Sequence, residues 1–267
     1  MKIDRSMPLR KIAPDGTQAP LLGFGSMRLA HVTQQTATAI IKRMVELGVK
    51  YIETAPQYRD SEAKIGLAVE TLGVRDKVLI STKSSNRKGC GMRADLEMSL
   101  KRLRTNRLDF YHMWFVDDMN NFKMLSAPDV GVEEVVEYAH KKGVGVVVMG
   151  PLKGGFLLAD NSEKLSFLRD ARSETNAQGA LRWLAADPRV SVMAVGYTDP
   201  KQVDEAYRAV TTLPMTQKKR KEIVENLKAL EKQIKDVCSG CDYCKEHCPQ
   251  KLNIPVLLEK AHSLLEV

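Results

Sequence analysis

The sequence predicts an α/β domain of about six βα units followed by a short helical tail built to hold a metal. Three observations carry this expectation. Apolar strand-like runs open at Leu21, Val49, Val78, Leu108, Val144 and Val190 with amphipathic stretches between them, near the repeat of roughly 30 residues that a βα crossover needs. The chain has 267 residues, 43% apolar and 28% charged, enough for one large core and too apolar for a disordered segment. Four of its five cysteines fall between Cys238 and Cys248, a clustering that suits a metal in a reducing compartment better than disulfides.

No run reaches the ~18 apolar residues of a membrane span. Met1-Lys2-Ile3-Asp4-Arg5-Ser6 carries charges where a secretory apolar core would start. A cytoplasmic protein without a membrane partner is therefore expected. The net charge is +8, and seven basic against two acidic residues lie between Arg87 and Arg107. Nucleic-acid binding would want aromatics or a recognisable module beside that patch. Met92, Leu96, Leu100 and Leu103 instead make it the solvated face of an ordinary amphipathic helix, so no nucleic-acid partner is expected.

Each element has a local cause. Pro14-Asp15-Gly16 is a hairpin turn ahead of the run Leu21–Gly25. Thr33 caps a helix with Ala37, Ile40, Ile41 and Met44 inward, stopped at Gly48. Strand Val49–Thr54 precedes a helix from Ser61 that buries Ile65, Ala68, Val69 and Leu72. Val78–Thr82 is the next strand, then the basic helix, then Leu108–Phe115. Val132, Val135, Val136 and Ala139 form a stripe closed by Gly143, before strand Val144–Met149. Ala177–Ala186 is helical, and Val190–Gly196 is the sixth strand. After Pro214 the composition turns highly charged, with Ile223, Leu227, Leu230 and Ile234 as a helical stripe. Two domains are expected, 1–213 and 214–267.

Cys238, Cys241, Cys244 and Cys248 form C-x2-C-x2-C-x3-C-P, with Pro249 last. Four thiolates in so tight a loop suit a [4Fe–4S] cluster. Structural zinc usually splits its ligands into two separated pairs. Cys248 either closes the same cluster or leaves the fourth iron to another ligand. Cys90 reads as a neutral thiol near a helix start.

Parallel βα sheets place their chemistry at the carboxyl ends of the strands. Here those ends carry Glu53, Lys83, Trp114 and Gly196. Glu53-Thr54-Ala55-Pro56-Gln57-Tyr58, Ile80-Ser81-Thr82-Lys83 and Gly23-Phe24-Gly25-Ser26-Met27-Arg28 together resemble the aldo/keto reductase family. Ser99–Leu103 followed by Leu108-Asp109 is similar to that family's helix-to-strand passage. Val195–Glu205 resembles its late phosphate-binding turn and helix, and the cysteine tail resembles a subset with an iron–sulfur appendage. The resemblance implies a TIM-barrel-like fold, shortened to about six units of the usual eight.

It also implies a reaction, carbonyl/alcohol interconversion on a small carbonyl substrate with NADPH. Tyr58 and Lys83 match the family's Tyr and Lys, and Glu53 stands where an Asp is usual, one methylene longer. A Tyr hydroxyl delivers a proton to carbonyl oxygen if a neighbouring ammonium lowers its pKa and a carboxylate holds the ammonium. The plainer alternatives are a tyrosine capping the barrel mouth and a solvated strand-end lysine. Gly25, Ser26, Met27, Arg28, Gly196, Thr198, Lys201 and Gln202 match cofactor positions, and Lys201 would pair with a 2′-phosphate unless it merely decorates a helix start.

Two departures stand out. Trp114, five residues beyond Asp109, occupies the family's His position, and His112 is expected to be a core histidine one layer deeper. Between Phe115 and Val144 there is room for one helix and no clear strand. An open or distorted barrel is expected, with Val116–Asp129 crossing the gap or a second subunit, as in a homodimer, covering it. Met149 stands where an aromatic stacking residue is common. The alternative function is an iron–sulfur electron-transfer protein on a degenerate barrel, serving an electron-transfer partner without hydride transfer.

Overall fold

A computed structural model of the chain describes residues 6–86, 88–113, 132–158, 163–233 and 252–257. The strands are β1 (Leu9–Lys11), β2 (Gln18–Pro20), β3 (Leu22–Gly25), β4 (Tyr51–Glu53), β5 (Leu79–Ser84), β6 (Phe110–Met113), β7 (Val146–Met149) and β8 (Val190–Val195). The helices are α1 (Gln34–Glu46), α2 (Ser61–Leu72), α3 (Gly89–Arg102), α4 (Val132–Lys141), α5 (Asn176–Ala185), α6 (Pro200–Thr211) and α7 (Gln217–Gln233). They fall into two compact units, one of Met1–Pro151 with Asp187–Leu213, the other of Leu152–Ala186 with Pro214–Val267. No described helix is long and apolar enough to cross a membrane.

In the first unit β3 to β8 form one parallel sheet in the order β6-β5-β4-β3-β8-β7. The last strand pairs with the first of the six, which is how a βα barrel begins to close. Among the described residues β6 and β7 are the two edges, so the sheet is a partial barrel of six strands. Val116–Asp129, expected to cross the gap, fall within residues 114–131 and so lie outside the described residues.

Period-two alternation sorts the sheet's side chains. On one face Tyr51 and Val192 pack with Ile12 and Ala19, and Leu79, Phe110 and Val147 surround them. Ile12 and Ala19 come from the hairpin of β1 and β2. Its turn uses Gly16 at φ +92°, and the Ile12 N–H donates to Thr17 O at 2.8 Å. The hairpin thus closes one end of this face, and a Cβ on Gly145 would lie 2.3 Å from Ile12 O. On the other face Leu22, Phe24, Ile52, Ile80, Met193 and Val195 are buried, with α3, α4 and α6 packed on β5, β7 and β3.

The helices begin and end where local chemistry requires. The Thr36 N–H donates to Thr33 Oγ1 at 3.2 Å, capping α1, while Ala37, Ile40, Ile41 and Met44 are fully buried. Burying each of Ile40, Ile41 and Met44 contributes roughly 1.5–3 kcal/mol. Gly48 and Gly73 take left-handed conformations at φ +75° and +62°, ending α1 and α2. The basic stretch is drawn onto acidic neighbours: Arg102 on Glu62 (3.3 Å), Arg104 on Glu70 (2.5 Å) and Arg107 on Asp76 (2.5 Å).

The second unit has its own core of Leu165, Leu168, Met215 and Ile223, with Trp183 and Leu227 packed against it. Buried Arg182 pairs with Asp170 and donates to Ser173 Oγ at 2.8 Å. The Trp183 indole N–H donates to Arg220 O at 3.2 Å, bringing α7 against α5.

Candidate active site

The carboxyl ends of β3, β4, β5 and β6 bring the predicted acid–base residues together. Glu53 ends β4 and is in register with Gly25 of β3 and Ser81 of β5. Lys83 lies near the end of β5, its Nζ in an ion pair with Glu53 Oε1 and donating to Thr54 O at 3.2 Å. Both side chains are buried, Lys83 at 6% and Glu53 at 3% exposure. At that depth neither charge is tolerable without the other.

Tyr58 sits in the turn that joins β4 to α2. Its N–H donates to Ala55 O at 3.0 Å, and the Ser61 N–H donates to Tyr58 O at 3.0 Å. The Gln57 side-chain amide donates to Ser85 Oγ at 3.0 Å, tying this turn to the one after β5. The Lys83 ammonium lies over the Tyr58 ring, 4.6 Å from its centre, a favourable cation–π geometry.

This geometry corrects the expected electrostatics. The sequence suggested a tyrosine with a lowered pKa, whereas burial raises the Tyr58 pKa above its ordinary value. The ammonium sits over the ring face and is held by Glu53 and Thr54 O, so desolvation of the phenolate dominates. Desolvation also lowers Lys83 from 10.5 to about 8. The phenol therefore remains a protonated donor through the neutral range, with a cation beside it that can stabilise the phenolate it leaves.

His112 is the second correction. It is in direct register with Lys83 across the β5–β6 pairing and is exposed, not a core histidine. Its ring stacks parallel to Phe110 with centres 6.4 Å apart. The sequence shows which face His112 shares with Trp114, but not which residue of β5 it meets. The Gln57–Ser85 tie was likewise missed, since nothing local signals it. Trp114 lies outside the described residues.

The cofactor candidates divide. Ser26 is fully buried and its hydroxyl shares a 2.8 Å hydrogen bond with Ser61 Oγ, which also meets Thr54 Oγ1 at 3.0 Å. Its hydroxyl thus knits the wall together. Met27 is exposed. Gly25, Arg28 and Gly196 converge: a Cβ on Gly196 would lie 3.4 Å from Arg28 Cδ and 3.6 Å from Gly25 O. The Thr198 N–H donates to Gln202 Oε1 at 2.8 Å and the Lys201 N–H to Asp199 Oδ1 at 2.7 Å, fixing the turn into α6, where Lys201 is exposed. A cation, exposed glycine backbone and a helix N-terminus together suit a phosphate-bearing ligand. Met149, half exposed, is in register with Ala194.

Among the described residues no group of three His, Cys, Asp or Glu side chains could hold a metal. Cys238, Cys241, Cys244 and Cys248 lie outside those residues; Cys90 is a free, exposed thiol.

A sequence model of the aldo/keto reductase family matches residues 21–120 and 112–228. The aldo-keto reductase YhdN of Bacillus subtilis is 27% identical over 148 residues, 49% of this chain and 42% of that protein. Methylglyoxal reductase DkgA of Salmonella typhimurium is 32% identical over 110 residues, 40% of this chain and 38% of that protein. The chain's matches thus span less than half the length of these two relatives. The aldo-keto reductase from Klebsiella pneumoniae solved in complex with NADPH superposes with a TM-score of 0.67 at 18% identity, covering 82% of this chain and 95% of that one. That likeness is one of fold.

Proposed function

The chain belongs to the aldo/keto reductase family, and from that premise we propose that it interconverts a small carbonyl compound and its alcohol with NADPH. The observation that carries this reading is the buried Lys83–Glu53 pair, with its ammonium over the Tyr58 ring at the strand ends. Similarity to a methylglyoxal reductase supports a small carbonyl as substrate.

Arg28, Gly196, Thr198 and Lys201 are the residues that would hold the dinucleotide, and their convergence at the start of α6 fits its phosphates. Gln202 supports that turn through Thr198, and Gly25 leaves room beside it. NADPH, when bound, supplies the hydride. The protein's own task is then to deliver a proton to the substrate oxygen and to hold the charge left behind. Tyr58 donates that proton, Lys83 stabilises the resulting phenolate, and Glu53 fixes Lys83 in place. Catalysis of this kind contributes typically 10²–10⁴-fold. NADPH consumption with 4-nitrobenzaldehyde, matched by formation of the benzyl alcohol, tests the reading; NADPH that is neither bound nor consumed by folded protein would refute it.

For the tail we propose a [4Fe–4S] cluster on Cys238, Cys241, Cys244 and Cys248, on the strength of their spacing. Anaerobically purified protein is expected to be brown and to lose its iron on Cys241→Ser, with the first unit still folded. Colourless protein carrying stoichiometric zinc would sink the cluster. The electron-carrier alternative is not favoured, because it leaves the paired Lys83, Glu53 and Tyr58 without a purpose.

A further inference from the structure

We propose that Ser61 is a positioning residue of this site, its buried hydroxyl locking the end of β3, beside the cofactor candidates, to the end of β4 that backs Lys83 and to the turn that carries Tyr58. The inference rests on the reading of the site as a carbonyl reductase. It adds a residue that the sequence offered only as the start of a helix.

The hydrogen bonds of the hydroxyl are the first support. Ser61 Oγ lies 2.8 Å from Ser26 Oγ, 3.0 Å from Thr54 Oγ1 and 3.2 Å from Ser26 O, to which it donates. A serine hydroxyl has one hydrogen and two lone pairs. With its hydrogen on Ser26 O it accepts from both Ser26 and Thr54, and its bonding capacity is filled. Ser26, Thr54 and Ser61 are all fully buried, so losing one partner strands the others away from bulk water. None of this capacity serves the helix that Ser61 opens. Thr33, Thr175 and Asp199 cap α1, α5 and α6 through side-chain hydrogen bonds, whereas Asp60 makes none at α2. Ser61 turns its hydroxyl to β3 and β4 instead.

What the hydroxyl joins is the second support. Through Ser26 it holds the first residue past β3, between Gly25 and Arg28. Through Thr54 it holds the first residue past β4, whose carbonyl accepts from the Lys83 ammonium at 3.2 Å and whose N–H donates to Ser81 O at 2.9 Å. The Ser61 N–H donates to Tyr58 O at 3.0 Å and closes the turn that presents the tyrosine. One residue thus sits between the strand end that would seat NADPH, the proton donor and the cation that stabilises the phenolate. Being fully buried, it touches no substrate, and no atom or charge passes through it. Its contribution is alignment, and a misplacement of about 1 Å can cost about 10²-fold in rate.

Alignment has an electrostatic consequence at Lys83. The titratable groups against that ammonium, among those described, are Glu53 from β4, Tyr58 from the turn and His112 from β6. Replacing Ser61 changes none of them. It loosens the Thr54 peptide and with it the dry enclosure that lowers the Lys83 pKa to about 8. Better hydration favours the charged form, so the Lys83 pKa rises.

The test uses full-length protein, NADPH and 4-nitrobenzaldehyde. Ser61→Ala is expected to lower kcat by about 10-fold to 100-fold and to move the alkaline fall of the pH profile upward from about pH 8. Thr54→Val, close in shape but lacking the hydroxyl, should move that fall the same way. The double variant should lose no more than about twofold beyond Ser61→Ala, because both substitutions break the same hydrogen bond. A second readout needs no turnover: the Lys83 side-chain resonance, identified by its absence in Lys83→Met, should titrate near pH 8 in wild type and higher in Ser61→Ala. Ser61→Ala with wild-type kcat and an unmoved Lys83 titration overturns the proposal and leaves the reductase reading standing. So does a loss of kcat that comes with a lower melting temperature and an unmoved Lys83 titration, which makes Ser61 structural. If Ser61→Ala does not fold, Thr54→Val decides by the same two readouts. Wild-type protein that does not reduce the aldehyde removes both readings together.

Discussion

Tyr58→Phe is expected to lower kcat/KM for carbonyl reduction by about 10²–10⁴-fold, the usual worth of a general acid, while NADPH affinity and the melting temperature stay close to wild type. The ring would remain in its turn and under the Lys83 ammonium, 4.6 Å from its centre, so the substitution removes the proton donor and little else. The wild-type pH profile of the same reaction should fall above about pH 8, where the desolvated Lys83 gives up its proton. Tyrosine ionisation cannot cause that fall, because burial moves the Tyr58 pKa upward. Lys83→Met should abolish the fall along with most of the rate. Wild-type turnover in Tyr58→Phe would make Tyr58 a lining residue of the opening.

The second large effect is on stability. Glu53→Gln strands a buried ammonium and Lys83→Met strands a buried carboxylate, and each should cost roughly 3–5 kcal/mol. The pair of substitutions together should recover most of that loss, since two neutral side chains of similar volume leave no uncompensated charge. Activity should not return with stability. Urea denaturation of the four proteins measures the coupling. Single variants within about 0.5 kcal/mol of wild type would mean the ion pair behaves like an exposed one.

These predictions depend on features with unequal traces in the sequence. Helix α1 was fully legible, because its cap Thr33, its stripe Ala37–Met44 and its stop Gly48 are all local signals. The expected runs Val49–Thr54 and Val144–Met149 are shorter in the structure, β4 at Tyr51–Glu53 and β7 at Val146–Met149, because the apolar pattern includes Val49 and Val144, which lie ahead of the paired residues. Pairing of β8 with β3 is a long-range fact that periodicity cannot carry; here it followed from the resemblance. Tyr58, Lys83 and Glu53 were found by motif, and they do meet. Where the Lys83 ammonium lies on the tyrosine was not legible, because the side-chain path of Lys83 is set by Glu53 and Thr54 O together. His112 was misjudged for a related reason. Its neighbours depend on the β5–β6 register, which the hydrophobic pattern of a four-residue strand leaves open.

Hydride transfer from NADPH to a carbonyl carbon is the central claim, and isotope tracing measures it directly. NADPH carrying deuterium at the transferable position of nicotinamide C4, mixed with the protein and 4-nitrobenzaldehyde, should yield 4-nitrobenzyl alcohol with deuterium on the carbinol carbon, in step with the NADPH consumed. Alcohol without deuterium, or NADPH oxidised with no alcohol formed, would contradict the account.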